Sequence, residues 1–386
     1  MKILYDHQIF TFQKYGGISR YFAQIMSNLP QDFRLQIAIR YSDNVYLRHL
    51  QGYEDIAPVF DVFEKFAHGL SFRGKKRLFQ YMKNHYPEKY PTYKESNLQT
   101  SIDCLKKQNF DIFHPTYYDD YFLQYIGNKP FVLTVHDMTH EMYPELFVRN
   151  YRTSPAKKRD LAHKANHIIA VSENTKKDIM DFWGIKEDKI SVVYHANSLK
   201  KDKTVAGLPA KYILYTGDRS GYKNFLFFAT VIAPILHDKK DLYVVCTGDK
   251  FNAHEIKLFD SLQIKDHFVH LFAEEDTMFD IYNQAIAFIY PSYYEGFGIP
   301  ILEAFHAACP VLISQASCFP EIAKDAALYF EPKNVSQLRI QIEKIIDDST
   351  LRDTLIAKGL DRNKDFSWQK SVEQTAAIYR KVISGQ

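Results

Sequence analysis

Short apolar runs alternate with helically spaced apolar positions along nearly the whole chain. Strands are predicted over 2–6, 35–39, 112–115, 131–135, 168–171 and 190–194, each a brief β-branched or aromatic run. After the first, Ile18, Tyr21, Phe22, Ile25, Met26 and Leu29 recur at the spacing of one helix face. A polar run from His195 to Lys211, with Gly207 and Pro209, interrupts the alternation as a linker does. Strands then resume at 212–216, 242–246, 268–272, 286–290 and 311–314, with helices between them, over 337–346 and over 351–358. Val372, Ala376, Tyr379 and Val382 mark a last amphipathic helix. Strand–helix alternation predicts parallel sheets with crossover helices, so the fold class is α/β with two separate αβα units. Residues 45 to 106 are helical in pattern, but their boundaries are illegible.

Composition narrows the class. The chain has 386 residues, 46% hydrophobic and 25% charged, which is too long for one core and fits two domains. No apolar stretch approaches a membrane span, the first ten residues do not read as a signal peptide, and four unpaired-looking cysteines suit a reducing compartment. A cytoplasmic location is therefore expected. The net charge of +3 is the sum of +6 over residues 1–200 (28 Lys and Arg, 22 Asp and Glu) and −3 over the rest (21 and 24). Eight basic residues and one acid fall between Lys65 and Lys94, threaded with aromatics. This segment reads either as a solvated helical face or as a dock for an anionic membrane, with Arg73, Lys75, Lys76 and Arg77 meeting head groups and Phe72 and Phe79 touching the interface. The small net charge and the lack of a recognised binding module argue against a nucleic-acid partner.

The candidate chemistry is phosphate and sugar chemistry. The chain lacks G-x-G-x-x-G, P-loop and G-x-S-x-G patterns, and it has no D-x-D to hold a metal against a diphosphate. Arg219 and Lys223 instead lie four residues apart in a glycine-containing turn between a strand and a helix, either as a diphosphate grip or as surface cations of a loop. Glu295-Gly296-Phe297-Gly298-Ile299-Pro300 follows another strand, and Glu303 lies one turn into the next helix. Two carboxylates beside exposed helix amides suit the hydroxyls of a sugar or ribose. His136 reads alone as a strand-end histidine, and Gly16-Gly17 as a strand-to-helix turn.

Taken together, E-G-F-G-I-P-x-L-E-A, the Arg219 and Lys223 pair, Lys14-Tyr15-Gly16-Gly17, His136-Asp137, Ala170 to Thr175 and Phe366-Ser-Trp368 resemble retaining glycosyltransferases of the GT-B fold, family 4. The resemblance implies two Rossmann-like domains facing across a cleft: residues 1–200 on the acceptor side, 201–366 on the donor side, and a helix in 367–386 crossing back to the first. It also implies roles. Arg219 and Lys223 would hold the diphosphate of a nucleotide sugar, Glu303 the ribose, and Glu295 with Gly296, Phe297, Gly298 and Ile299 the transferred sugar. Gly16 and Gly17 would approach the diphosphate, His136 would face the sugar, and Phe272 and Ala273 would lie by the nucleobase. The implied reaction is transfer of a hexose, with GDP-mannose favoured, to a glycan or lipid-linked acceptor in bacterial surface polysaccharide synthesis. Neither a cofactor nor a metal is expected, and the enzyme would sit on the inner face of the plasma membrane if it binds one. The alternatives are a nucleotide-sugar epimerase or phosphorylase on the same scaffold, and a non-catalytic carbohydrate- or membrane-binding protein.

Overall fold

A computed structural model describes residues 1–54, 56–68, 72–147, 154–219 and 221–385. The first half holds β1 (Lys2–Tyr5), β2 (Arg34–Ile37), β3 (Ile112–His114), β4 (Val132–Val135), β5 (His167–Ala170) and β6 (Ile190–Val192). They pair in parallel as β2-β1-β3 and β4-β5-β6, and a bridge from Phe113 to Phe131 links the two groups. The second half holds β7 (Tyr212–Tyr215), β8 (Tyr243–Cys246), β9 (Phe268–His270), β10 (Ala287–Tyr290), β11 (Val311–Ser314) and β12 (Leu328–Phe330). These form one parallel sheet in the order β12-β11-β10-β7-β8-β9. Four-residue strands buried along their whole length, such as Val132–Val135 and Tyr212–Tyr215, reflect helices packed on both faces.

The strand order reverses between β1 and β3 and again between β7 and β10. At such switch points neighbouring loops leave in opposite directions and open a crevice at the carboxyl ends of the strands. The turns after β1, β7 and β10 carry Gly16-Gly17, Lys223 and Glu295-Gly296, so topology alone brings these motifs to crevices.

The last helix, Trp368–Ser384, returns to the first half. Val372, Ala376 and Tyr379 enter a core with Ile3, Tyr5 and Phe22. The Tyr379 hydroxyl lies 2.7 Å from that of Tyr5 and 2.6 Å from Nδ1 of His114, whose Nε2 meets Thr134 Oγ1 at 2.9 Å. His114 is thus a buried packing residue; burial pushes it down to about 3 and keeps it neutral.

Within residues 45 to 106, helices run over Val62–Ala67, Lys75–His85 and Tyr93–Lys106. The expectation that Phe79 touches a surface fails. Phe79 is buried in an aromatic cluster with Phe63, Phe66 and Tyr90, while Phe72, Leu78 and Tyr81 remain exposed. An isolated 11-residue helix is marginal in water, and Phe79 is the side chain that anchors this one. All four cysteines are free, three of them buried. Among the described residues, no helix is long and apolar enough to cross a membrane.

Candidate active site

Lys223 ends a single helical turn, Gly221–Lys223, that follows β7. Asn224, next in sequence, adopts a left-handed conformation (φ 57°) and begins the helix Phe225–Asp238. The sharp change of direction carries the Lys223 ammonium to Glu295: Nζ to Oε1 is 2.6 Å, with Tyr290 OH at 3.3 Å. Their side chains are 14% and 13% exposed. Burial alone would lower the lysine's pKa, but Glu295 and Tyr290 outweigh it and hold the ammonium charged. Ser292 Oγ also donates to Glu295 at 2.9 Å, and Ser317 Oγ accepts the Glu295 amide at 3.0 Å. Lys223 and Ser292 thus orient the carboxylate, and Ser317 holds its backbone.

Gly296 has a steric requirement. A Cβ there would fall 1.7 Å from the carbonyl oxygen of His136, far inside contact distance. The Gly296 carbonyl accepts from Ser172 Oγ (2.7 Å) and Thr175 Oγ1 (3.3 Å), at the start of the helix Glu173–Trp183. The next residue, Phe297, is buried against Tyr194 and His195. Gly298 has φ 88° and caps the helix Ile299–His306, whose first turn contains Pro300. At Gly17 a Cβ would lie 3.7 Å from Ile299 Cδ1, so the first-half glycine turn meets the second-half glycine motif.

Glu303 is buried and bound from both halves. Oε1 accepts Nη1 of Arg20 at 2.8 Å, and Oε2 accepts Tyr282 OH at 3.2 Å. Arg20 stands one turn into the helix Gly17–Ser27 and also meets Glu275 at 3.4 Å and Tyr46 OH at 3.2 Å. Sequence reading missed Arg20. Its signal was a single cation three residues after Gly17, on a helix whose remaining pattern was read only as core.

Arg219, like Lys223, is ion-paired, but it turns away from Glu295 to other partners. Its Nε donates to Glu255 at 2.9 Å, Nη1 to the Thr247 carbonyl at 3.4 Å, and Nη2 to the carbonyls of Asp249 and Lys250 at 2.5 and 3.0 Å. The two side chains are 4% and 3% exposed. Because β8 pairs with β7, the loop after β8 lies beside Arg219 and surrounds it with carbonyls. Sequence spacing gives no sign of this neighbour.

His136 follows β4 and is buried against Tyr21 and Phe22, its ring 6.2 Å from that of His195. His136 Nε2 and His195 Nδ1 have no hydrogen-bond partner among the described residues. Burial pushes His136 down to about 3, so it is neutral at physiological pH and can donate or accept one hydrogen bond. His195 was read as the first residue of a linker; it packs instead between Tyr21, Phe297 and Trp368. Behind this loop Lys158 is buried, donating to the Asp137 carbonyl at 2.5 Å and to Glu141 at 3.2 Å. Phe272, beyond β9, is 74% exposed, with Ala273 partly covered beside it. No cluster of three or more His, Cys, Asp or Glu suited to a metal occurs among the described residues.

Two family descriptions match in tandem: "Glycosyltransferase Family 4" over residues 15–199 and "Glycosyl transferases group 1" over residues 197–362. O-antigen chain mannosyltransferase B of Escherichia coli is 38% identical over 107 residues, 28% of either chain. O-antigen chain mannosyltransferase RfbU of Salmonella typhimurium is 28% identical over 216 residues, covering 55% of this chain and 60% of that one. The matched region thus spans less than two thirds of either relative. The crystal structure of Anabaena Alr3699/HepE in complex with UDP and glucose superposes with a TM-score of 0.72 at 15% identity, covering 98% of this chain and 99% of that one. With paired parallel-sheet halves, a returning last helix and both descriptions end to end, the chain belongs to the group 1 glycosyltransferases of the GT-B fold, family 4 type.

Proposed function

We propose that the protein transfers a hexose from a nucleotide-diphosphate sugar, with retention of configuration, to a hydroxyl of a glycan or lipid-linked acceptor in surface polysaccharide synthesis. The observation that carries this reading is the meeting of Lys223 with Glu295 in a crevice that both halves wall, Gly17 packing on Ile299 and Arg20 on Glu303. Mannose is the favoured sugar and guanosine diphosphate its carrier, supported by the names of the bacterial relatives.

As the glycosidic bond breaks, negative charge grows on the departing diphosphate. A preorganised ammonium, unchanged in charge during the reaction, lowers that barrier without reorganisation cost. Lys223 supplies it, and the amides around Gly298 at the start of the helix Ile299–His306 add positive dipole. Glu295 is held by Lys223 and Ser292, so it orients the sugar hydroxyls rather than attacking. The departing phosphate takes the acceptor proton from the same face, and retention follows. Neutral His136, with Nε2 unpartnered, is a ready partner for a sugar hydroxyl. Glu303 would receive the ribose once Arg20 yields, and Phe272 offers a ring to the base. No divalent cation is assigned a role.

The proposed site of action is the inner surface of the plasma membrane. Phe72, Leu78 and Tyr81 are exposed on and beside the helix Lys75–His85, which also carries Lys76 and Arg77. Each such cation near an anionic surface is worth about 1 kcal/mol. The decisive experiment incubates the protein with GDP-mannose and UDP-glucose separately, with mannosyl-terminated lipid-linked acceptors, and assigns the product anomer by NMR. Donor consumption without an acceptor, or an inverted product, refutes the reading.

A further inference from the structure

We propose that a cavity between the two halves, walled by Tyr143 and Tyr293, is a subsite for a sugar ring of the acceptor glycan. The inference rests on the glycosyltransferase reading and assigns the acceptor a place within it. The cavity is broadly open to solvent and measures about 680 Å³, a volume within the range of sites that hold small organic ligands.

Its lining has the chemistry of carbohydrate recognition. The Tyr143 and Tyr293 rings lie 6.1 Å apart between centroids with 26° between planes, making one aromatic wall from residues of different halves. Aromatic faces carry partial negative charge and attract the C–H-rich faces of pyranose rings. Glu331, Lys333, Asn334 and Ser336 line the cavity with an acid, an amine, an amide and a hydroxyl, a set that matches sugar hydroxyls as both donors and acceptors. Lys333 Nζ lies 5.7 Å from the centre of the Tyr293 ring, and with Glu331 the lining carries one positive and one negative side chain. A polyanion or a lipid tail fits this mixture less well than a neutral sugar.

Position makes the sugar an acceptor sugar. Tyr293 lies two residues before Glu295, and its amide donates to the Tyr222 carbonyl at 2.8 Å, next to Lys223. Asn224 donates to the Pro332 carbonyl at 2.9 Å, tying the cavity's third wall to the Lys223 turn. That wall follows β12, at one edge of the sheet, whereas Phe272 follows β9, at the other. The nucleoside end and this cavity therefore flank the Lys223–Glu295 pair from opposite sides. A glycan seated against the wall of Tyr143 and Tyr293 would point its terminal sugar at the reacting centre while the nucleoside keeps the far side.

Saturation-transfer NMR on the full chain with GDP at saturation tests this, using mannotriose as probe. Mannotriose signals are expected with the wild type and lost in Tyr143→Ala and Tyr293→Ala, with calorimetric GDP affinity unchanged. Val335→Trp, at a position 55% exposed at the cavity rim, should block the cavity without disturbing the fold and give the same loss. In turnover assays these variants should raise the acceptor KM roughly ten-fold, the order expected for losing a stacking contact, and leave the donor KM alone. The proposal is overturned if the wild type gives no mannotriose signal, or if signal and acceptor KM survive in folded variants. Loss of sugar binding in the variants of a protein that transfers nothing would uphold the subsite and refute the catalytic reading; transfer with unaltered acceptor KM would do the reverse.

Discussion

Arg219 and Lys223 occupy equivalent places in the family resemblance, yet their surroundings demand opposite behaviour on mutation. Arg219→Met removes the counter-charge of Glu255, itself 2% exposed, and orphans the carbonyls of Thr247, Asp249 and Lys250. Breaking a buried pair by deleting one partner costs about 3–5 kcal/mol, because the survivor is left charged and dry. Against a typical total of 5–15 kcal/mol, that should lower the urea midpoint by about 1 M or more. Glu255→Gln in the same background removes the stranded charge and keeps an oxygen for the Asn252 amide, so it should recover much of the loss.

Lys223→Met makes the contrast. Its pair with Glu295 is several times more exposed than the Arg219 pair, and Ser292 continues to serve the carboxylate. Stability should change little, while calorimetry should show nucleoside diphosphate binding weakened about 10- to 100-fold, the worth of one charge-assisted hydrogen bond of 1.5–3 kcal/mol. Nucleoside binding should be unaffected. An Arg219→Met protein that keeps the wild-type midpoint but loses diphosphate affinity as Lys223→Met does would refute the structural role and restore Arg219 to the phosphate site.

Arg20→Met should tighten nucleoside binding about five- to ten-fold, since the guanidinium no longer competes with ribose for Glu303; a 2′,3′-dideoxynucleoside should show no gain, and weaker ribonucleoside binding would contradict the assignment. Gly296→Ala should abolish transfer and enlarge the radius of gyration in X-ray scattering, because its Cβ cannot share space with the His136 carbonyl; an active, compact variant would disprove the contact. His136 and His114, each pushed down to about 3, and His195, lowered in the same direction by burial, are neutral in the folded protein and titrate near 6.5 when unfolded. The unfolded state therefore takes up protons first, and each histidine should cost about 1.4 kcal/mol between pH 7.5 and 5.5, roughly 4 kcal/mol for the three; urea midpoints that stay flat over that window would refute their burial. Transfer should survive EDTA, with a collapse rescued by magnesium or manganese counting against a lysine-based mechanism.

The parallel strands, the amphipathic face of the last helix and the Glu295-to-Glu303 motif were legible because each is local, whereas that helix's return to the first half followed only from the family resemblance. Burial on both faces writes continuous apolar runs such as Ala287–Tyr290, and one helix turn sets the distance from Gly298 to Glu303. What escaped is set by neighbours distant in sequence. Arg219 meets Glu255 only because β8 lies beside β7, and Arg20 reaches Glu303 across 283 residues. Phe79 was placed on the wrong side because its partners Phe63, Phe66 and Tyr90 come from separate segments, and an 11-residue periodicity does not say which apolar face is covered.

The contacts between halves fall into two kinds with different consequences for motion. Around the crevice they mix exchangeable polar bonds with local packing: Glu321 accepts the amides of Glu173 and Asn174 at 2.7 and 3.0 Å, Ser172 and Thr175 hold the Gly296 carbonyl, and Tyr294 donates to Asp178 at 2.5 Å, while Phe297 packs on Tyr194 and His195 and Ile299 lies against Gly17. Water can replace most of these bonds when the crevice opens, so the neutral ones contribute about 0.5–1.5 kcal/mol each to closure and those to the Glu321 carboxylate about 1.5–3 kcal/mol. The tie made by the last helix is different, since Val372, Ala376 and Tyr379 are buried in the first-half core and no solvent substitute exists for them. Opening that breaks the polar set and leaves the helix in place would turn about the two crossings, residues 193–211 and 363–368. Closure that rests partly on exchangeable bonds can be tipped by a ligand that adds contacts to both faces, and a donor bridging Lys223, Glu303 and the Gly16-Gly17 turn would do so.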